Sequence, residues 1–221
     1  MQCPNCAAPL NSNDEVCKYC GMITPYGESM LKERSVQEEG QQSRHAEKNL
    51  SQRRRKSVAV MIEGALCIAL CIVLEKINLF SMPQGGSVDF ELIPLLLFAY
   101  RRGIRNGIWA GAVTGIIKIV LGGYFLNVIQ VILDYPLAYA CVGLAAVSPR
   151  IIGLLIAALG QITCSVISGV VFFAQYAPEG QSPLMYSIMY NGPVLGAKYI
   201  LSGIVAMFLW KVLERDLPVR D

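Results

Sequence analysis

Two sets of residues have the types and spacings that chemistry needs. The first is Cys3-x2-Cys6-x10-Cys17-x2-Cys20. Each CxxC forms a knuckle that aims two sulfurs at one point, and two knuckles complete a tetrahedral four-sulfur zinc site with no open position. Such a zinc is structural, and in about twenty residues with no hydrophobic core of their own the metal supplies the folding energy. Two redox pairs, or thiols with no ligand role, are the other readings of the same spacing. Few basic residues surround the cysteines and the net charge is only +3, so no nucleic-acid partner is expected.

The second set is polar and lies in otherwise apolar sequence: Lys118, Asp134, Gln161, Ser165, Asn191 and Lys198, with Tyr135, Phe173, Tyr176, Tyr186 and Tyr190 nearby. A polar group in lipid costs several kcal/mol unless it is partnered, so such residues mark function. Any one tyrosine reads as an interfacial aromatic belt, and Asp134 paired with Lys118 would serve structure alone. Taken together, a carboxylate, amides, hydroxyls and aromatic rings describe a pocket for a small ligand. A carboxylate among aromatic faces suits an organic cation, through charge pairing and cation–π contact. Lys118 and Lys198 have no assigned role in this reading.

Other chemistries lack their residues. The one histidine, His45, lies outside the apolar runs. No Walker sequence provides for ATP, and no GxSxG or HExxH supports a hydrolase, so the chain is not read as an enzyme.

The elements that must position these residues follow from composition. Apolar residues are 54% of the 221, and the mean hydropathy is +0.46. Sixteen charged side chains fall in residues 1–56, leaving nineteen for the 165 that follow. A polar head thus precedes a long apolar body, and no cleavable signal sequence opens the chain. With about twenty residues per crossing, six spans are expected at roughly 57–77, 89–101, 104–121, 128–147, 150–175 and 186–211. The second is short, with Pro94 near its start. Turn residues separate them: Ser81 to Gly86, Arg101-Arg102-Gly103, Gly122-Gly123, Ser148-Pro149-Arg150, and Ala177 to Pro183.

The basic residues orient the spans. Placing Arg53-Arg54-Arg55-Lys56 inside puts Arg101, Arg102, Arg105, Arg150, Lys211, Arg215 and Arg220 inside too, and only Lys76 sits at the outer rim. Six crossings with both termini cytoplasmic, in the cell (plasma) membrane, satisfy this pattern; five or seven do not. Asp134 then lies about 10 Å below the outer surface, at 1.5 Å per residue. The expected organisation is a zinc ribbon at 1–24, a flexible or weakly helical polar linker at 25–56, a six-helix membrane domain at 57–212 and a tail at 213–221. Gly103, Gly107, Gly111 and Gly115 recur every four residues and give the third span a flat face for close helix approach. Ala65-x3-Ala69 repeats the device more weakly, and taken alone suggests internal packing.

From about residue 57 to 212 the chain resembles the thiamin-specific S component of energy-coupling factor (ECF) vitamin transporters. The resemblance rests on ordered stretches. They are Glu63-Gly64-Ala65-x3-Ala69, Ser81-Met82-Pro83-Gln84-Gly85-Gly86-Ser87-Val88, Ile93-Pro94 with Arg101-Arg102-Gly103, and Leu133-Asp134-Tyr135-Pro136-Leu137-Ala138. Ser168-Gly169-Val170-Val171-Phe172-Phe173, Gln175-Tyr176-Ala177, Tyr186-Ser187 and Asn191-Gly192 complete the series. The cysteine-bearing head and the linker lie outside it.

The resemblance implies an all-α integral membrane protein, surrounded by lipid, that captures thiamin from outside without being an enzyme. A T subunit in the membrane and two cytosolic ATPases would drive uptake. It places the family's acidic-aromatic pair on Asp134 and Tyr135, its last-helix tyrosine and asparagine on Tyr186 and Asn191, and a ring on Phe173. Gly85 and Gly86 would let the first loop close over the pocket, and Ala65 and Ala69 would dock on the T subunit. The sequence departs from the pattern on the fifth span. Ser165 and Gln161 stand where members commonly have a histidine and a basic residue; losing the imidazole hydrogen bond would weaken thiamin binding or signal a related ligand, so the expected ligand is thiamin or a close analogue. A different vitamin, or a membrane-anchored sensor whose ribbon recruits a cytosolic partner, is the competing expectation.

Overall fold

A computed structural model of the chain describes residues 1–9, 11–82 and 86–216. It divides at Val58/Ala59 into two units. In the first, two tight knuckles carry the cysteines. Each is closed by a backbone bond behind its first cysteine, Cys3 N–H to Ala8 O at 2.9 Å and Cys17 N–H to Met22 O at 2.8 Å. Ala7 and Gly21 turn the chain with φ of 55° and 71°.

Helix α1 (Pro25–Glu75) follows at once. Pro25 suits a first helical position, where no N–H is needed. Thr24 caps the helix, its Oγ accepting from Gly27 N–H at 3.0 Å. The stretch at 25–56, expected as a flexible or weakly helical linker, is therefore helix throughout. Its Glu, Gln, Lys and Arg content favours that state, and the cap sets its start.

In the second unit, α1 buries Gly64, Ile68 and Cys71, one stripe at helical spacing. A Cβ on Gly64 would stand 3.2 Å from the Phe98 ring. Ala65 and Ala69 lie beside this stripe on an exposed face, not in the interior packing that the sequence alone suggests. A hairpin comes next, β1 (Asn78–Ser81) antiparallel to β2 (Ser87–Asp89), with Phe80 opposite Val88 and Ser81 opposite Ser87.

Helix α2 (Leu92–Val120) folds back on itself. Gly103 has φ 79° and ψ 175°, which a Cβ would resist, and it separates limbs at 92–102 and 104–120. A Cβ on Gly107 would stand 2.9 Å from the Ala99 Cβ. Eight residues of straight helix would separate those positions by about 12 Å. The limbs coincide with the segments expected from the sequence as the second and third spans. Three further helices follow: α3 (Val128–Ala146), α4 (Arg150–Phe172) and α5 (Pro183–Asp216).

Among the described residues four helices are long and apolar enough to cross a membrane, at Glu47–Glu75, Val128–Ala146, Arg150–Phe172 and Pro183–Arg215. In α2 the turn between the limbs carries Arg101, Arg102 and Arg105, and Arg101 and Arg102 pair with Glu63 of α1. The protein is thus mostly helical with an apolar, membrane-suited body. Its core joins Ile68 and Cys71 to Leu92, Leu95, Leu96 and Phe98, and reaches Tyr199, Ala206 and Trp210 on α5.

Gly107, Gly111 and Gly115 form the flat face expected of them, and α3 lies on it. A Cβ at each of these positions would come within 2.9 Å of Gly143 Cα, 3.2 Å of Ala140 Cα and 2.7 Å of Pro136 N respectively. Gly103 is not part of this face; it makes the turn. Gly111→Val should therefore destabilise the protein by about 1–3 kcal/mol through overpacking. Gly196→Ala, where a Cβ meets nothing within 4 Å, should leave thermal unfolding in detergent unchanged.

Candidate functional site

The sequence of α3 shapes one wall of the site. Asn127 caps the helix by accepting from Ile129 N–H at 2.9 Å. Pro136 then interrupts it, because proline donates no backbone bond and crowds the carbonyl four residues earlier. The helix widens by a residue over Leu133–Leu137, a local bulge common at functional sites. Asp134 and Tyr135 sit in this widened turn.

They face a cavity of about 330 Å³, within the usual range for small-ligand sites. Gln161, Ser165 and Phe173 reach it from α4 and its end, and Tyr186 and Asn191 from α5. Gly86, with φ +92°, lines it from the hairpin side, where its carbonyl accepts from Met82 N–H at 2.9 Å. All seven pocket residues expected from the sequence thus share one cavity. Of the two lid glycines, Gly86 borders it, and Gly85 lies outside the described residues.

The polar geometry is specific. Asp134 Oδ2 accepts from Gln130 Nε2 at 2.8 Å and from Ser168 Oγ at 2.7 Å. Gln161 Oε1 accepts from Tyr199 Oη at 2.8 Å. Asn191 Nδ2 donates to Ser187 O at 3.1 Å. Two aromatic walls stand near these groups. Phe173 lies between Tyr124 and Tyr176, with ring centroids 5.9 and 6.1 Å away, and Tyr186 stacks on Tyr190 at 5.8 Å.

The lysines without a sequence role have one here. Lys118 does not pair with Asp134. It binds Glu91 and, at 3.1 Å, Glu75, and donates to Tyr139 Oη at 2.6 Å. Lys198 binds Glu91 and, at 3.2 Å, Asp89. Tyr139 donates to Glu91. Asp89, Glu91 and Lys198 are all at most 4% exposed, and both lysines border the cavity. The sequence held a signal for this network. Two lysines in apolar segments require carboxylates, and Asp89-x-Glu91 opens the second segment. Tyr124, Gln130 and Ser168 were also missed, since nothing in their spacing sets them apart.

In the first unit the sulfurs of Cys3, Cys6, Cys17 and Cys20 lie within 4.8 Å of one another. Cys3 and Cys20 are 3.6 Å apart and Cys6 and Cys17 3.7 Å. The Met22 backbone N–H draws the Cys20 thiol down to about 6, and those of Cys6 and Asn5 lower Cys3. Cys6 has the Ala8 N–H beside it, yet burial and the neighbouring sulfurs push it up to about 12. Sulfurs this close resist ionising together unless a cation joins them. The cluster can hold a metal ion.

The family model for Thiamine transporter protein (Thia_YuaJ) matches residues 61–217. Thiamine transporter ThiT of Bacillus subtilis (strain 168) is 32% identical over 183 residues, covering 73% of this chain and 95% of that protein. Thiamine transporter ThiT of Lacticaseibacillus paracasei (strain ATCC 334) is 31% identical over 188 residues, covering 75% and 94%. A solved structure of ThiT from Listeria monocytogenes superposes with a TM-score of 0.67 at 24% identity, over 72% of this chain and 97% of that one. The cysteine cluster lies outside the residues that the family model matches.

Removing one member of a buried ion pair strands its partner, at a cost of about 3–5 kcal/mol. Lys198→Met should lower the stability of the detergent-solubilised protein by that much in thermal unfolding. Lys76→Met, at an exposed position, should change it little.

Proposed function

The chain belongs to the thiamine transporter protein family, and from that premise we propose that it captures thiamin, or a close cationic analogue, as the S component of an ECF-type transporter. The family is one of transport proteins and not of enzymes. In this reading six spans place both termini in the cytoplasm, and the cavity opens outward. A T subunit and two cytosolic ATPases drive uptake, with the T subunit seated on the exposed Ala65–Ala69 face. The protein alone binds without pumping.

One observation carries the ligand class. Asp134 presents Oδ1 with no hydrogen bond among the described residues, beside a cavity walled by aromatic rings. A half-buried anion with an open lone pair calls for a cation or a donor. Rings within about 6 Å of a cation add cation–π attraction. Asp134 balances the thiazolium charge, and Tyr135, Phe173 and Tyr186 contact the two rings of the vitamin. Gln161, Ser165 and Asn191 supply neutral hydrogen bonds, and Gly85 and Gly86 let the hairpin loop close.

The cysteine cluster is a structural zinc site. Four sulfurs at 2.3 Å from one ion stand about 3.8 Å apart in a tetrahedron, and the observed 3.6 and 3.7 Å separations fit. Zinc there would neutralise the sulfurs and fix the knuckles that precede the Thr24 cap.

Mass spectrometry of small molecules co-purified with the full chain should find thiamin or a thiamin-like cation. Asp134→Ala should weaken thiamin binding at least tenfold in calorimetry, about 1.4 kcal/mol; unchanged affinity would reject the assignment. Elemental analysis should find one zinc per chain, lost in Cys3→Ser with Cys20→Ser. Deleting residues 1–52 should preserve vitamin binding, whereas a sensor that works through the ribbon would lose its function.

A further inference from the structure

Both hydrogen bonds to Asp134 fall on the same oxygen. Gln130, one turn earlier on α3, and Ser168, from α4, donate to Oδ2 at 2.8 and 2.7 Å. Each of these side chains is 1% exposed. Bonds to an ionised acceptor are about twice as strong as neutral ones, so two of them hold the carboxylate and leave Oδ1 without a hydrogen bond among the described residues, on a residue that lines the cavity. The nature of the donors matters as much as their number. A lysine or arginine at either position would fix the carboxylate equally well and cancel its charge. An amide and a hydroxyl hold it and leave the charge uncancelled. The nearby cation that could have neutralised it, Lys118, is engaged by Glu75 and Glu91.

Gln130 does more than hold the carboxylate. Its Oε1 accepts from Leu126 N–H at 3.0 Å, and its Nε2 also donates to Tyr124 O at 3.3 Å. Tyr135 Oη accepts from Tyr124 N–H at 2.6 Å. The segment between α2 and α3 is therefore tied to α3 on both sides of Asp134. Those ties place the Tyr124 ring against Phe173 at the cavity wall.

We propose that Gln130 and Ser168 are positioning residues that make the cavity prefer a cationic ligand over a neutral one of the same shape, and that Tyr124, held by Gln130, is a further ring of the binding wall. The proposal rests on the reading of this cavity as the site for a thiamin-like cation. The donors act through Asp134: without them the half-buried carboxylate loses the bonds that keep it charged and aimed, and its attraction for a positive ring falls. A purely structural role would weaken all ligands alike.

The test measures affinities of the full-length, detergent-solubilised protein for two probes. One is thiamin, and the other is its neutral isostere in which carbon replaces the thiazolium nitrogen. The ratio of the two dissociation constants reports charge selectivity. The unaltered protein should favour thiamin at least tenfold. Gln130→Met and Ser168→Ala should each shrink that ratio at least threefold. In an Asp134→Asn background, where the ratio is already near one, neither change should reduce it further. Tyr124→Ala should weaken both probes, thiamin by three- to tenfold. Ser168→Ala removes a single oxygen and keeps the test open if Gln130→Met does not fold. A preserved ratio in Ser168→Ala, with the unaltered protein still selective, overturns the positioning role. Equal binding of both probes by the unaltered protein overturns the charge role of Asp134 and this inference with it. Binding of neither probe removes instead the reading of the cavity as a thiamin site. Unchanged affinities in Tyr124→Ala remove that ring from the wall.

Discussion

Compensation of charge inside an apolar body is the constraint on which the second unit depends. Lys198 from α5 meets Asp89 from the hairpin and Glu91 from the start of α2, while Lys118 from the far end of α2 closes on Glu91 and Glu75. No one of these groups is tolerable alone in that setting. Their convergence therefore fixes how α1, the hairpin, both limbs of α2 and α5 sit. Tyr139 adds α3 by bonding to Glu91 and Lys118. Glu75, Lys118, Tyr139 and Lys198 of this group also border the cavity, so part of what orders the bundle bounds the site.

A second constraint is steric. α2 and α3 approach closely because one face of α2 is glycine, and α3 widens at Pro136 where it meets Gly115. Close approach draws the backbones together, and the widened turn redirects Asp134 and Tyr135. The anion proposed to select the ligand is thus positioned by residues with almost no side chain and by one proline. Polar chemistry enters only afterwards, through Gln130 and Ser168.

Much of this was legible in the sequence, for physical reasons. Apolar length and the placement of arginines gave the segment boundaries. The glycine period gave a packing face, and the CxxC spacing gave the sulfur cluster. Asp134, Gln161, Ser165 and Asn191 stood out because polar types so costly in an apolar helix have few uses, whereas the rings of Tyr135, Phe173 and Tyr186 were marked by the family resemblance. Other features were hidden because they arise from long-range convergence. Lys198 and Asp89 are 109 residues apart, and no local pattern pairs them. Gln130 and Ser168 look like ordinary helix residues until α3 and α4 come together. The 25–56 stretch misled through its polarity, which resembles disorder, while its individual residues favour a helix once Thr24 caps it. Gly103 shared the period of its neighbours and yet serves as the turn, a distinction that only backbone angles reveal.

The two strands of the hairpin are held very unequally. Every residue of β1 is exposed, whereas β2 ends in the fully buried Asp89, bound to Lys198. Displacing β2 requires separating opposite charges in a dry interior; displacing β1 requires only exchanging a few ladder bonds for water. Local opening takes the cheaper route. Of the two strands only the anchored one borders the cavity, through Ser87, so that stretch of wall is set by the buried ion pair and not by the exposed strand beside it.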